Sequence, residues 1–186
     1  MAKKVFLYGL QREDAERIRS VLADHDIAAF ILGDEALDET VADVFEMNDD
    51  IGDVHEAFDR EYMIFQDIDL NELVRLMAEI EASGEEFEGV KVMRTENNEH
   101  WTMRYLLEQT AKEHDTARKA IVLDQLIRSC NNLDLTSLTS EEQKEFKASL
   151  LEAFMVLKSG TYTYETVTAA AENLAAWLRK ISKLYN

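Results

Sequence analysis

The chain has 186 residues, no Pro, one Cys and a formal net charge of −18 from 20 Lys+Arg against 38 Asp+Glu. Hydrophobic residues make up 46%, too many for a disordered acidic tail, and a chain of this length buries a core without disulfide or metal. The charge argues against nucleic acid and anionic membranes as partners.

The acidity is uneven. Residues 116–186 hold 8 acids and 9 bases, so residues 1–115 carry all the excess. Its peak is 34–86, where 19 acids face only Arg60 and Arg75. The start, Met1-Ala2-Lys3-Lys4-Val5-Phe6-Leu7-Tyr8-Gly9, is too short in its apolar run for a signal peptide. No stretch reaches a membrane-spanning length, and one Cys forms no internal disulfide. The expectation is a cytoplasmic protein.

In chain order, Val5–Tyr8 is an apolar run closed by Gly9 and reads as a strand. Residues 11–24 carry Ile18, Val21 and Leu22 at helical spacing. Ile27–Leu32 is a second strand run, closed by Gly33. Asp34 is expected to cap a helix bearing Leu37, Val41, Val44 and Phe45. Tyr62–Phe65 is a third strand. Asp69-x-x-Glu72 then signals a helix start, Leu70, Leu73, Val74, Met77 and Ile80 mark the helix, and Gly84 ends it. Val90–Met93 is a fourth strand, followed by helical spacing at Met103, Leu106, Leu107, Thr110 and Ala111.

Continuous apolar strands alternating with helices predict an α/β fold. The expected sheet is small, four-stranded and mainly parallel, with flanking helices in a Rossmann-like or flavodoxin-like manner. No internal repeat is evident. Beyond 116 no strand pattern survives. A three-helix hairpin or bundle is expected there, with Thr139-x-x-Glu142 as a capping box and Gly160 as a stop. The last helix repeats Tyr164, Val167, Ala171, Leu174, Leu178, Ile181 and Tyr185 in steps of three and four. That seam serves either packing within the chain or a homodimer. The division is therefore an α/β domain at 1–115 and a helical extension at 116–186.

Several motifs fail on their chemistry. Gly84-x-x-x-x-Gly89-Val90-Lys91 lacks the Ser/Thr of a phosphate loop and runs from helix into strand. His55-Glu56-Ala57-Phe58-Asp59 offers two metal ligands at helical spacing and no third. Asn48–Asp53 resembles a calcium loop, but three of its ligand positions fall on Met47, Ile51 and Phe58. Cys130 has no evident base beside it and reads as a structural thiol. No cofactor, metal site or catalytic residue is indicated.

The candidate site follows from the sheet. Ligands of open parallel sheets bind beyond the carboxyl ends of the strands. That edge would gather Gly9, Gln66, Asp67, Thr95, Asn97, Asn98 and Trp101. Thr, Asn and Trp supply neutral hydrogen bonding and a stacking face; capping by Asn98 or Thr102 and core packing by Trp101 are the alternative uses. Glu96 and Glu99 alongside favour a neutral or cationic ligand over an anionic one.

Tyr62-Met63-Ile64-Phe65, then Val90–Glu108 with its Thr95-x-x-Asn98…Trp101-Thr102-x-x-x-Leu106-Leu107, then Glu113-His114, resembles a bacterial domain-of-unknown-function family over roughly 60–115. The resemblance implies a fold boundary and no chemistry. The expected function is a non-enzymatic module binding a small molecule or protein partner at the strand edge. One alternative is a protein-interaction surface in the acidic 34–86 region. Another is a degenerate receiver-like domain with Asp67 and Thr95 in the acceptor and switch places, although Gly9-Leu10-Gln11 replaces the receiver's acidic pair.

Overall fold

A computed structural model describes residues 2–184. The elements are β1 (Lys4–Tyr8), α1 (Arg12–Ala23), β2 (Ala28–Ile31), α2 (Val41–Glu46), β3 (Tyr62–Gln66), α3 (Leu70–Ala82), β4 (Val90–Met93), α4 (Met103–Ser129), α5 (Ser140–Lys158) and α6 (Tyr164–Leu184). The chain forms an α/β sheet structure followed by a helical region, and it divides into two compact units after Ala111.

The strand order is β2-β1-β3-β4. The outer pairs, β1–β2 and β3–β4, are parallel, as the continuous apolar runs lead one to expect. The central pair is antiparallel, with Lys4 opposite Gln66 and Tyr8 opposite Tyr62. Every residue of β1 and β3 is buried because helices cover both faces. Val5, Leu7, Met63 and Phe65 pack against Ile18 and Leu22 of α1 and Leu76 and Ile80 of α3. Phe6, Tyr8, Tyr62 and Ile64 pack against Val41, Val44 and Phe45 of α2 and Met103, Leu106 and Leu107 of α4. Each such apolar side chain contributes roughly 1.5–3 kcal/mol on burial.

One helix differs from expectation. Asp34 opens only a single turn of 3-10 helix, Asp34–Ala36, and Thr40 caps the following α2 by accepting from the Asp43 N–H at 3.1 Å. The Asp34 carboxylate is committed elsewhere: it accepts from the Tyr8 hydroxyl at 2.6 Å and from the backbone N–H groups of Glu56 and Ala57.

The α/β unit also has an internal two-fold arrangement that the sequence conceals. β1-α1-β2 and β3-α3-β4 are matching crossovers running from the sheet centre to opposite edges. Gly9 and Asp67 follow β1 and β3 with φ of 80° and 56°. Thr40 and Thr102 cap α2 and α4 and bridge to each other. Around them the bonds are reciprocal. The N–H of Val41 donates to Trp101 O at 2.9 Å, and that of Met103 to Glu39 O at 2.9 Å. Likewise Ala42 donates to Glu99 O and Arg104 to Leu37 O.

In the helical unit α4 is continuous across 115–116, having neither Pro nor Gly to interrupt it. The capping box of α5 forms: Thr139 Oγ1 accepts from Glu142 N–H, and Glu142 Oε2 accepts from Thr139 N–H at 2.8 Å. Val167, Ala171, Leu174 and Ile181 of α6 are buried in a cluster with Leu123 of α4, Cys130 in the 3-10 turn after α4, and Phe146 and Ala153 of α5. These positions of the heptad seam are therefore used inside the chain. Tyr164 is exposed, and Tyr185 lies outside the described residues. Among the described residues no helix is long and apolar enough to cross a membrane.

Candidate functional site

β3 and β4 leave the sheet at the same edge. After Gln66 the chain turns at Asp67, whose left-handed backbone Asp tolerates better than most residues. Asp69 then caps α3 by accepting from the Glu72 N–H at 2.9 Å. On the neighbouring strand the Arg94 N–H donates to Phe65 O at 2.8 Å and carries the pairing one residue past β4. Asn98 fastens the turn that follows: its Oδ1 accepts from Thr95 N–H at 2.8 Å, and its Nδ2 donates to Met93 O at 2.9 Å.

Between these ends lies a cavity of about 240 Å³ lined by Gln66, Asp67, Arg94, Thr95, Glu96 and Glu99. Its polar bracket is held on several sides. Gln66 is 5% exposed; its Nε2 donates to Ala2 O at 2.8 Å and its Oε1 accepts from Arg94 Nη1. Arg94 Nη2 donates to Glu99 Oε2 at 3.2 Å, and the guanidinium lies 5.5 Å from the Phe45 ring centroid. The Arg94 side chain is only 11% exposed. A cation so far from water needs such partners, and having them it is fixed in position. The lining holds one cation against Asp67, Glu96 and Glu99, so its field favours neutral or cationic groups.

Residues 61–116 match a protein family described as Domain of unknown function (DUF3783). This bears out the resemblance read over 60–115. The DUF3783 segment supplies all six lining residues. No curated protein and no solved structure matches the chain.

Of the expected site residues, the structure brings Gln66, Asp67 and Thr95 together. Gly9 is elsewhere. Because β1 runs antiparallel to β3, its carboxyl end lies at the opposite edge, outside the DUF3783 segment. There Gly9 borders a separate depression of about 410 Å³ with Leu10, Gln11, Arg12, Ile31, Asp53 and His55. A Cβ at Gly9 would stand 2.6 Å from Arg60 O, and φ is +80°, so glycine is required for the turn itself. The same antiparallel pair removes the receiver-like alternative, since residues after β1 cannot face Asp67 as a receiver's acidic pair would.

Three further residues of the DUF3783 segment are not in the cavity lining. Asn97 is exposed. Asn98 is spent on the turn. Trp101 packs on the core beside α2 and α4 and meets Tyr105 edge-on at 4.9 Å. The residue missed from sequence is Arg94. The available signal was a lone cation between an apolar strand and a polar turn.

A second polar cluster anchors the acidic loop between α2 and β3. Tyr8 is fully buried, donates to Asp34, and meets the His55 ring edge-on at 5.0 Å. Burial, then the Asp34 bond, pushes the Tyr8 hydroxyl far above its usual pKa. Burial opposes ionisation of Asp34, but the bonds from Tyr8, Glu56 and Ala57 together hold it below the usual carboxylate range. His55 Nε2 lies 3.0 Å from Leu32 O. These contacts tie the loop to the sheet.

Proposed function

We propose that the α/β unit is a non-enzymatic binding module that holds a small polar molecule, neutral or cationic, at the β3–β4 edge. The observation that carries this reading is the Arg94–Gln66–Glu99 bracket beside an open cavity of about 240 Å³. Fixed polar groups next to a cavity are what a ligand site requires. Thr95 offers a hydroxyl, and Asp67 and Glu96 offer carboxylates to an amine or amide. In the competing reading the acidic 34–86 region binds protein. Many of its acids are engaged within the fold: Asp34 with Tyr8, Asp50 with Arg19, Glu72 with Lys3, and Glu79 with His25.

A thermal-shift screen of amines, amino acids, amides and nucleosides tests the proposal, because a ligand that binds only the folded chain raises its melting temperature. A stabiliser is expected from the cationic or neutral polar compounds, with the response lost in Arg94→Met and Glu96→Gln. Stabilisation by anions alone, or a response unchanged in both variants, overturns the reading.

A further inference from the structure

We infer that the exposed face of α5 docks on the exposed face of α3 in a second copy of this chain. On α5, Leu151, Phe154 and Met155 are 62%, 50% and 57% exposed. Leu151 and Phe154 border a groove of about 320 Å³ that also takes in Ile127 and Leu150. An isolated exposed Leu is ordinary, but a contiguous apolar patch marks an interaction surface.

The charges around the patch identify the occupant. Lys147 and Lys158, both exposed, bracket it along the helix, and Lys158 Nζ lies 6.0 Å from the Phe154 ring centroid. Two α5 faces set against each other would therefore oppose like charges. The fitting partner is an apolar helix face bracketed by acids. α3 presents one: Leu70 and Val74, one turn apart, are 74% and 63% exposed. Asp69 precedes them and Glu81 follows, both exposed. At the helical rise, Lys147 and Lys158 stand about 16 Å apart along the axis and Asp69 and Glu81 about 18 Å, so the brackets match in length as well as sign.

Sedimentation equilibrium of the full chain tests this, with circular dichroism melts confirming that each variant is folded. The chain is expected to self-associate, and more weakly at high salt. Val74→Lys and Leu151→Glu should each weaken the association on the order of tenfold or more. Both positions are solvent-exposed, so the melts should be near those of the parent chain. A monomer at all concentrations overturns the inference. So does an association that Leu151→Glu breaks and Val74→Lys leaves intact, which would mean that α5 pairs with some other surface.

Discussion

At the scale of single residues, two half-buried charged groups organise the α/β unit. Arg94 is the first. Arg94→Met removes the guanidinium, and with it the contact over the Phe45 ring and the donors to Gln66 and Glu99. The buried Gln66 oxygen then loses its partner, and a loss of roughly 1–3 kcal/mol is expected in a denaturant titration. Asp34 is the second. Its pKa is lowered in the folded chain, so its stabilisation is fully present above the unfolded pKa and is lost as pH falls through the folded value. Asp34→Asn should therefore melt below the parent at neutral pH. The gap should close on acidification below about pH 4, as melting temperatures against pH would show. A gap that widens in acid would contradict this account of the loop anchor. Neither role was legible in the sequence. An Arg beside a strand reads as solvated, and an Asp before a helical pattern reads as a cap, because the partners Gln66 and Tyr8 arrive from distant segments.

At the scale of elements, local chemistry was the readable part. Asp69 and Thr139 cap as their spacing predicts, and Gly84 and Gly160 follow the helices they end, with φ of 94° and 66°. Glu142 shows the reach of such a motif. Its bond from Lys180, with those from Thr139, pulls its pKa down to about 2 and joins the start of α5 to α6. Thr139→Ala removes the cap, and a cost of about 1 kcal/mol is expected in the same titration. Strand direction was not readable. A continuous apolar run reports burial on both faces, and β1 and β3 have that whichever way they run. The edge strand β4 shows the contrast: Val90 and Val92 are buried, while Lys91 between them is exposed. The two-fold relation was hidden for a similar reason. It matches backbone roles, as with Gly9 and Asp67 or the caps Thr40 and Thr102, and side chains only in part.

At the scale of the whole chain, the charge that excluded polyanionic partners belongs to the α/β unit and is partly consumed there. Acids bond Tyr8, Lys3, Arg19 and Arg94, and others rim the β3–β4 cavity. The antiparallel centre of the sheet gives that unit two opposite edges in place of one. The edge expected from a parallel sheet thus keeps Gln66, Asp67 and Thr95 and loses Gly9. The central claim is that the β3–β4 edge is the one that binds. Amide chemical-shift mapping of the full chain, titrated with whichever amine or amide stabilises it, tests this most directly. The account predicts shifts centred on Asp67, Thr95, Glu96 and Glu99 and quenched by Arg94→Met. Shifts centred instead on Gly9, Gln11, Arg12 and His55 would contradict it.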